Sequence, residues 1–566
     1  MPVNKQTAAL LEAHFDTAFA APDGIKKLRE LILTLAMQGK LVPQDPSDPP
    51  ASELLKAIEA EKSRLWRDGK IKAPKPLPDI PVREMVYDLP TGWEWVRFGE
   101  IAQHNSGKTL DKGRNTGLPR DYITTSNLYW GRFELGSVRQ MLIREDELEK
   151  CTAKKNDLLI CEGGEAGRAA VWNFETEVCF QNHVHRARLF GKIDSYFAYR
   201  FFEKLNATGE ITQHRKGVGI SNMSSKALGA ISFPLPPLSE QHRIVAKIDQ
   251  LMVRCDELER LRAEREQKRR SVHTAVFKQL LDAQGANIAD AWQFISQHFG
   301  DLYAVKENVA ELRKAVLQLA VMGKLAPQNP NDPPASQLLK EIDAEKMRLV
   351  KEGKIKAPKP LPEIQPAEIP YALPQGWEWA TLGQISLKVS DGFHHTPKKI
   401  SAGIKYISAT HIYNGRIDWD SNLFVSEKEY LDLDKKVAQG FGDILIVNRG
   451  AGCGDAAIVD SNEQFCFQNA AIVGFSQKLL CGKYLLKYLH SSRDQFLEKF
   501  IQGGAQPMLS NRLLATHLIA IPPLLEQHRI VAKIDQLMAL CDTLDQKIDA
   551  ATCKQAELLD AVMAQV

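Results

Sequence analysis

The chain has 566 residues, 44% of them hydrophobic and 25% charged, and a formal net charge of +3. This length and composition predict a globular protein of several domains with ordinary hydrophobic cores. The net charge is too small to indicate a nucleic-acid-binding protein by itself, although a basic face can lie within a balanced total.

The nine cysteines form neither a C-x-x-C pair nor a Cys/His ladder at zinc spacing. This pattern favours free thiols in a reducing cytoplasm over a disulfide framework. The first residues, MPVNKQTAALLEAHF, lack the basic and apolar regions of a secretion signal, and no run of eighteen apolar residues occurs. We therefore expect a cytoplasmic protein that does not cross a membrane.

The first section, residues 1–90, recurs in the middle of the chain. Both copies contain GKL, DPPAS and KIKAPKPLP segments, related by an offset of 284 residues without a gap. Each copy is expected to form helices followed by a basic, proline-rich linker. A repeat of this length predicts duplicated domains.

A variable block follows each copy, at residues 91–238 and 375–524. The two blocks share a skeleton of apolar residues, glycines and turn formers, such as YITTSNLYWGRF at 122–133 and YISATHIYNGRI at 406–417. Runs such as LLI and ILIV between turn residues indicate buried strands, and FFEKLNATGEI indicates an amphipathic helix. Each block is therefore predicted to be a mixed α/β domain.

Each variable block ends in a Pro-Pro-Leu segment, after which EQHRIVAKIDQLM occurs word for word at 240–252 and 526–538. The apolar residues that begin at Ile244 and Ile530 alternate spacings of three and four, which is typical of a coiled-coil seam. The central section, 239–374, and the C-terminal section, 525–566, are thus predicted to begin with long helices. About 40 helical residues would span roughly 60 Å.

The order of these parts predicts the architecture. The two chain ends, joined together, would reproduce the central section. We therefore expect an α+β protein with two mixed α/β domains separated by long antiparallel coiled-coil helices, in a pseudo-twofold, quasi-circular arrangement. The two identical seams are expected to pair with each other.

Several motifs that resemble catalytic sites are better explained structurally. DPPA at Asp48 and Asp332 resembles the D-P-P-Y loop of adenine methyltransferases, but alanine replaces the aromatic residue that stacks on a flipped base. We expect instead an aspartate or serine cap with proline in the first helical turn. His183 and His185 share a strand face, but the second copy has Ala470 and Ile472 there, which argues against a metal site.

The doubled PPL-x-EQ-x-x-I arrangement, which closes a variable domain and opens a seam helix, resembles the specificity (HsdS) subunits of Type I restriction-modification systems. The resemblance covers essentially the whole chain and fits the longer members of that family. It implies that each variable block is a target recognition domain for one half of a bipartite site in double-stranded DNA. It also implies a non-catalytic chain that binds no cofactor.

The resemblance further implies partners. Two modification (methyltransferase) subunits would dock on the paired helices and supply S-adenosylmethionine. Two restriction (translocase and nuclease) subunits would use ATP and Mg²⁺. The candidates for helix pairing or partner docking are Glu240, Gln241, His242, Arg243, Ile244, Ile248 and Leu251, with their equivalents Glu526, Gln527, His528, Arg529, Ile530, Ile534 and Leu537.

Candidates for DNA contact are the polar side chains of turn-rich segments. In the first domain they are Lys108, Arg114, Arg120, Asn127, Tyr129, Arg132 and Arg215; in the second they are His394, His395, Lys398, Lys399, Asn414, Arg416 and Arg449. Arg132 and Arg416 occupy aligned positions, so they are expected to hold phosphate or the fold rather than to specify sequence.

Two other functions remain open at this point. A coiled-coil scaffold without a DNA role would show no duplex binding even with partner subunits present. A stand-alone DNA methyltransferase would transfer methyl groups without partners, which the DPPA sequence argues against.

Overall fold

The computed structural model describes residues 19–73, 76–111, 113–216, 221–282, 287–393, 396–420, 423–435, 437, 439–450, 452–500 and 508–564. It is a mixed structure of helices and short strands. The chain divides into a first unit, residues 1–266 and 550–566, and a second unit, residues 267–549. Each unit contains one variable domain.

The first unit begins with two helices and a linker. These helices are α1, Gly24–Met37, and α2, Ala51–Arg67. α2 starts with Pro50 as its N-cap, and no side chain caps it. The expected aspartate or serine cap with proline in the first turn is therefore wrong, since both prolines precede the helix.

The first variable domain combines two four-stranded sheets with short helices. The sheets have the strand orders β10-β8-β12-β2 and β6-β3-β11-β7. The strands are β1 Glu94–Arg97, β2 Ala102–Ser106, β3 Leu118–Ile123, β4 Leu128–Tyr129, β5 Arg132–Phe133, β6 Arg139–Ile143, β7 Thr152–Ala153, β8 Leu158–Cys161, β9 Gly163–Gly164, β10 Ala169–Val171, β11 Val178–Phe180, β12 Val184–Leu189, β13 Ser221–Asn222 and β14 Ser232–Leu235. The helices are α3 Phe98–Ile101, α4 Glu145–Cys151, α5 Ser195–Ala207 and α6 Ser225–Gly229.

Most of the described part of the central section is helical. It comprises α7 Leu238–Asp282, α8 Asn287–Gln297, α9 Phe299–Leu302, α10 Lys306–Val321 and α11 Ala335–Lys351. The long helix predicted after Pro-Pro-Leu is confirmed, and it has 45 residues.

The second variable domain repeats the first, with fewer strands among its described residues. Its larger sheets have the orders β16-β24-β21-β22 and β20-β17-β23. The strands are β15 Glu378–Thr381, β16 Lys388–Asp391, β17 Ile404–Ser408, β18 Ile412–Tyr413, β19 Arg416–Ile417, β20 Phe424–Val425, β21 Ile444–Val447, β22 Ala456–Ile458, β23 Phe465–Gln468, β24 Ala470–Gly474 and β25 Leu518–Ile521. The helices are α12 Leu382–Ile385, α13 Glu427–Asp434, α14 Gly482–Phe500, α15 Asn511–Ala515 and the 40-residue α16 Leu524–Met563.

Each domain is closed by pairing its first strand with its last. β1 pairs with β14 antiparallel, and β15 pairs with β25 in the same way. The polypeptide therefore leaves the domain beside its point of entry, directly at the start of α7 or α16. This strand pair fixes where the long helix begins.

The first halves of the two seams pack within their own units. In the first unit, Ile244, Ile248 and Cys255 are buried in one core with Ile32 and Leu33 of α1. In the second unit, the equivalent Ile530, Ile534 and Cys541 are buried with Leu312 and Val316 of α10. In each unit, a shorter helix packs in the same core as these residues.

Ion pairs on the same helix faces support this packing. Arg29 of α1 contacts Asp256 and Glu259 of α7 at 2.6 and 2.8 Å. Arg313 of α10 contacts Asp542 and Asp545 of α16, both at 2.8 Å. These pairs are partly exposed, so each contributes on the order of 1 kcal/mol or less, and they chiefly fix the register.

The two chain ends lie in the first unit. Phe19, Ala21 and Leu31 form a small buried cluster with Leu559 of α16. In the second unit, His273 of α7 packs edge-to-face on Tyr303 at 5.6 Å between ring centroids. Because sequence offsets relate Phe19 to Tyr303 and Leu559 to His273, the prediction that the two ends reproduce the central section is confirmed.

No helix in the described ranges is sufficiently long and apolar to traverse a lipid bilayer.

Candidate nucleic-acid interface

A two-stranded hairpin places an exposed tyrosine and arginine on the first variable domain. β4 and β5 pair with the register Leu128↔Phe133 and Tyr129↔Arg132. Leu128 is fully buried, whereas Tyr129 is 38% exposed. The Arg132 guanidinium lies 5.1 Å from the Tyr129 ring centroid and the Arg168 guanidinium lies 5.3 Å from it. This arrangement presents an aromatic face held between two cations.

The second variable domain has the same hairpin. β18 and β19 pair Ile412 with Ile417 and Tyr413 with Arg416. Asn414 and Gly415 form the turn with φ of 52° and 77°, a left-handed conformation that asparagine and glycine tolerate best. Asn414 is therefore explained by the turn. Tyr413 and Arg416 remain exposed on the surface.

Three other candidates of the first domain are cations that differ in their exposure and in their ion pairs. Arg120 is exposed on β3, and the Arg114 side chain is 90% exposed near Asp111. Lys108 is only 20% exposed and forms an ion pair with Glu147. DNA contact by Lys108 would first require that ion pair to open.

Two candidates of the first domain are structural. Asn127 is 2% exposed; its Oδ1 accepts from the Thr124 N–H at 3.0 Å, and its Nδ2 donates to the Glu134 carbonyl at 3.0 Å. Arg215 is half-buried, and its Nε donates to the Ala166 carbonyl at 2.7 Å. The assignment of Asn127 to base reading is wrong, because both ends of its amide are used inside the domain.

The candidates of the second domain are mostly exposed. Lys398 and Lys399 lie on the surface before β17, and Lys399 Nζ is 6.0 Å from the Tyr406 ring centroid. Arg449 is exposed, and its backbone bridges to Met508. His394 and His395 lie outside the described residues.

The identical EQHRIVAKIDQLM segments form a joint between each variable domain and its long helix. Trp93 Nε1 donates to Glu240 Oε2 at 2.9 Å. Burial raises the pKa of Glu240, and the Trp93 hydrogen bond offsets part of this rise. In the second copy, burial raises the pKa of Glu526 and Trp377 offsets it in the same way. In the first copy, the tryptophan of the GWEW segment is thus hydrogen-bonded to the start of the long helix.

Gln241 connects the joint to the start of α5, and Gln527 connects it to the start of α14. Gln241 Oε1 accepts from the Asp194 N–H at 3.0 Å, and its Nε2 donates to the Pro236 carbonyl at 2.9 Å. Gln527 makes the same two bonds, with Cys481 at 2.9 Å and Pro522 at 3.0 Å. Both glutamines are fully buried, so each bond is made without competition from water.

The DPPA segments complete the joint. Arg243 Nη2 lies 2.6 Å from Asp48 Oδ2, and Arg529 Nη2 lies 2.6 Å from Asp332 Oδ2. The aspartate of each DPPA segment therefore holds the arginine of the joint. This role explains the motif without a flipped base.

Most of the proposed partner-docking residues are internal. Glu240, Gln241, Ile244 and Ile248, like Glu526, Gln527, Ile530 and Ile534, are at most 2% exposed. They contact their own unit, and their assignment to helix pairing or partner docking stays a prediction. Arg243, Leu251, Arg529 and Leu537 are half-buried, whereas His242 and His528 are exposed.

Comparison with known proteins identifies the chain. A family model described as the Type I restriction modification DNA specificity domain matches residues 90–266 and again residues 374–551. The Type I restriction enzyme EcoAI specificity subunit of Escherichia coli is 33% identical over 95% of this chain and 93% of its own length. The chain belongs to the Type I restriction-modification specificity subunit family.

Two further proteins are similar to this chain over most of its length. The EcoEI specificity subunit of Escherichia coli is 32% identical over 95% of this chain and 93% of its own length. The HsdS subunit of Thermoanaerobacter tengcongensis matches 85% of this chain and 98% of its own at 18% identity, with a TM-score of 0.43.

As a specificity subunit, the chain contains two DNA recognition domains and is a non-catalytic component of its system. Within the described residues, no group of three or more His, Cys, Asp or Glu side chains could hold a metal ion. His185 instead shares a hydrogen bond of 2.9 Å with the Met223 carbonyl inside the first domain.

Sequence reasoning missed how the arginine Arg168 acts. Its Nη2 donates to the Thr125 carbonyl at 2.6 Å and its Nη1 contacts Glu165 at 3.1 Å. These bonds fix it against Tyr129. A tyrosine and an arginine 39 residues apart give no sequence signal of such a contact.

Proposed function

We propose that the chain directs a Type I complex to an asymmetric, bipartite site in double-stranded DNA, with one recognition domain for each half. The observation that supports this is the contrast between the two domains. Both match the specificity-domain model and share a skeleton, yet their exposed candidates differ: Arg114 and Arg120 in one, Lys398, Lys399 and Arg449 in the other. Unlike surfaces on one fold are suited to unlike half sites.

Two kinds of DNA contact are proposed within each domain. The exposed tyrosine–arginine hairpins are the same in both domains, so Arg132 and Arg416 contact the backbone, which does not vary with sequence. The side chains that differ between the domains, such as Arg120 and Lys399, contact base edges. The long helices α7 and α16 set the distance between the two half sites.

Two modification subunits dock on the exposed stripe of the joint helices. In each copy this stripe consists of a histidine, an alanine and a glutamine at intervals of four residues: His242, Ala246 and Gln250, with His528, Ala532 and Gln536. Residues at this spacing share one helix face. Because the stripe is identical and exposed twice, it fits two copies of one partner.

The cofactors of the complex belong to the partners in this proposal. S-adenosylmethionine is bound by the modification subunits, and ATP and Mg²⁺ by two restriction subunits. The specificity chain itself binds none of these, and the complex acts in the cytoplasm, where the DNA is found.

A domain exchange tests the proposed reading of DNA. Residues 91–238 are replaced by the corresponding block of another family member, and the chain is co-expressed with its modification subunit. Sequencing of methylated bases in the host genome should show one half of the modified sequence changed and the other half retained. If neither half changes while methylation persists, the first domain does not read DNA.

A further inference from the structure

A groove of about 1420 Å³ lies in the first unit between α2 and the edge of the first recognition domain. One wall is the α2 face that contains Ala57, Ala60, Arg64 and Arg67. The other wall consists of the turn before β8 and the segment between β12 and α5. The side chains of six lysines and arginines face this groove: Arg64, Arg67, Lys154, Lys155, Arg188 and Lys192.

Three carboxylates line the groove against six cations: Asp157, Glu61, whose Oε2 accepts from the Gly191 N–H at 2.8 Å, and Asp194, whose Oδ1 accepts from the Tyr196 N–H at 2.8 Å. Asp157 is fully engaged by Arg188, with contacts of 2.7 and 2.8 Å. Lys154 and Lys155 pair with Glu177 and Glu175, but all four side chains are more than half exposed, so phosphate can displace these carboxylates at low cost. Within the described part of the chain, Arg64, Arg67 and Lys192 have no carboxylate within 4.0 Å.

Lys192 occupies an unfavourable backbone conformation in this groove. Its φ is 62°, in the left-handed region, and it follows Gly191 with φ of 63°. A lysine there costs about 1 kcal/mol or more relative to glycine or asparagine. Leu479, the equivalent residue of the second domain, is not among the residues with positive φ. The left-handed lysine therefore occurs in the first domain, where the groove is basic, and has no left-handed equivalent in the second.

The second unit provides an internal comparison. The equivalents of Lys154, Lys155, Arg188 and Lys192 are Gly440, Phe441, Phe475 and Leu479, while Lys478 replaces Gly191. Arg348, the equivalent of Arg64, lies between Glu345 at 2.7 Å and Glu352 at 3.3 Å. The duplicated fold therefore does not require the cations of the first groove.

We propose that this groove binds the phosphate backbone of duplex DNA, in addition to the contacts of the first recognition domain. Lysine is depleted from protein–protein interfaces, which need an apolar centre, and Tyr196 is the one large apolar side chain of the lining that is substantially exposed, at 41%. Three lysines and three arginines without such a centre fit a polyanion better. The proposal rests on the proposed DNA-reading function and makes the two halves of the complex unequal.

The test compares two matched triple variants of the full chain in complex with its modification subunit. In the first, Arg64→Gln, Arg67→Gln and Lys192→Asn remove groove cations; in the control, Arg348→Gln, Lys351→Gln and Lys478→Asn remove three cations from the second unit. Fluorescence anisotropy measures binding to a duplex containing the methylated site and to an unrelated duplex, over a series of salt concentrations.

The first variant should bind both duplexes about tenfold more weakly near 0.1 M salt, and its slope of log K against log salt should decrease by about 2 to 3. The control should retain the wild-type slope. Equal losses in both variants, or no loss in the first, would overturn the proposal. Unchanged DNA binding with loss of the co-purifying modification subunit would also overturn it, because the groove would then bind an acidic partner surface.

Lys192→Asn alone separates a binding role from a structural one. Asparagine tolerates the left-handed conformation, so this variant should melt at a higher temperature while binding duplex more weakly. A higher melting temperature with unchanged binding contradicts a phosphate contact by Lys192. Failure of the proposed DNA-reading function would give a different result. The wild-type complex itself would then bind no duplex or show no preference for its methylated site.

Discussion

The role of polar residues in the turns of this interface is difficult to predict from the sequence. Asn127 lies in a turn-rich segment of the first recognition domain, and asparagine is a common reader of adenine. The same residue type also satisfies backbone groups in turns, and here it joins Thr124 to Glu134. The two roles give identical local sequences, so only the fold distinguishes a reader from a support.

Asn127→Ala should destabilise the first recognition domain without changing the half site it reads. The substitution leaves the Thr124 N–H and the Glu134 carbonyl without a partner, at a cost of about 1–3 kcal/mol. Chemical denaturation measures this loss. Arg114→Ala is the matched control: its side chain is 90% exposed, so stability should change by less than about 0.5 kcal/mol. A changed methylation sequence in the Asn127 variant would restore this residue as a reader.

The contacts of the joint give a physical reason for the identity of the two EQHRIVAKIDQLM segments. Within one helical turn and a half, Glu240, Gln241 and Arg243 contact three separate segments: the GWEW strand, the start of α5 and the DPPA loop. In the second unit, Gln527 and Arg529 make the same contacts with the start of α14 and with the DPPA loop. A substitution on one side would need a matching substitution on the other, which explains why both copies are retained unchanged.

Replacing the buried carboxylates of the joint should reduce the loss of stability that accompanies a rise in pH above 4.5. The pKa values of Glu240 and Glu526 are raised above the ordinary value of 4.5 by burial. As the pH rises above 4.5, the unfolded state ionises first, so stability falls until the folded carboxyls ionise as well. Glutamine keeps an acceptor for the tryptophan N–H and removes this titration.

Thermal melts of the Glu240→Gln, Glu526→Gln double variant and of the wild type, from pH 5 to pH 8, measure the effect. The melting temperature of the variant should exceed that of the wild type by a margin that grows with pH. Glu257→Gln, at an exposed position of α7, controls for charge alone and should show no growing margin. A margin independent of pH would mean that the buried carboxyls are already ionised at pH 5.

At the level of elements, the sequence predicted the helices and strands better than it predicted which elements pack against each other. The spacing of Ile244, Ile248 and Cys255 correctly indicated a buried helix face. It did not show that α1 covers this face, because an apolar stripe specifies that it is buried but not by what. The sequence does contain one signal of this packing. Arg29 and Arg313 lie 284 residues apart, at equivalent positions of α1 and α10, and each forms ion pairs with acidic residues of a long helix.

At the scale of the whole molecule, each unit is completed by a segment that is distant in sequence. The first unit contains residues 550–563 from the end of α16, and the second contains residues 267–282 from the end of α7. The stability of the first unit therefore depends on the C-terminus of the chain, although the rest of α16 belongs to the second unit. This dependence follows from the duplication, because the end of α16 takes the place in the first unit that the end of α7 takes in the second.

Leu559→Ala tests this dependence. Leu559 is 3% exposed and packs with Phe19 and Leu31, so its truncation should cost about 2–5 kcal/mol in the first unit. Hydrogen exchange read by mass spectrometry should show faster exchange in α1, Gly24–Met37, and unchanged exchange in α10, Lys306–Val321. Cys553→Ala, at an exposed position of the same helix, should alter neither segment. Faster exchange in α10 instead would mean that the C-terminal segment stabilises the second unit, and the assignment of residues 550–566 to the first unit would be wrong.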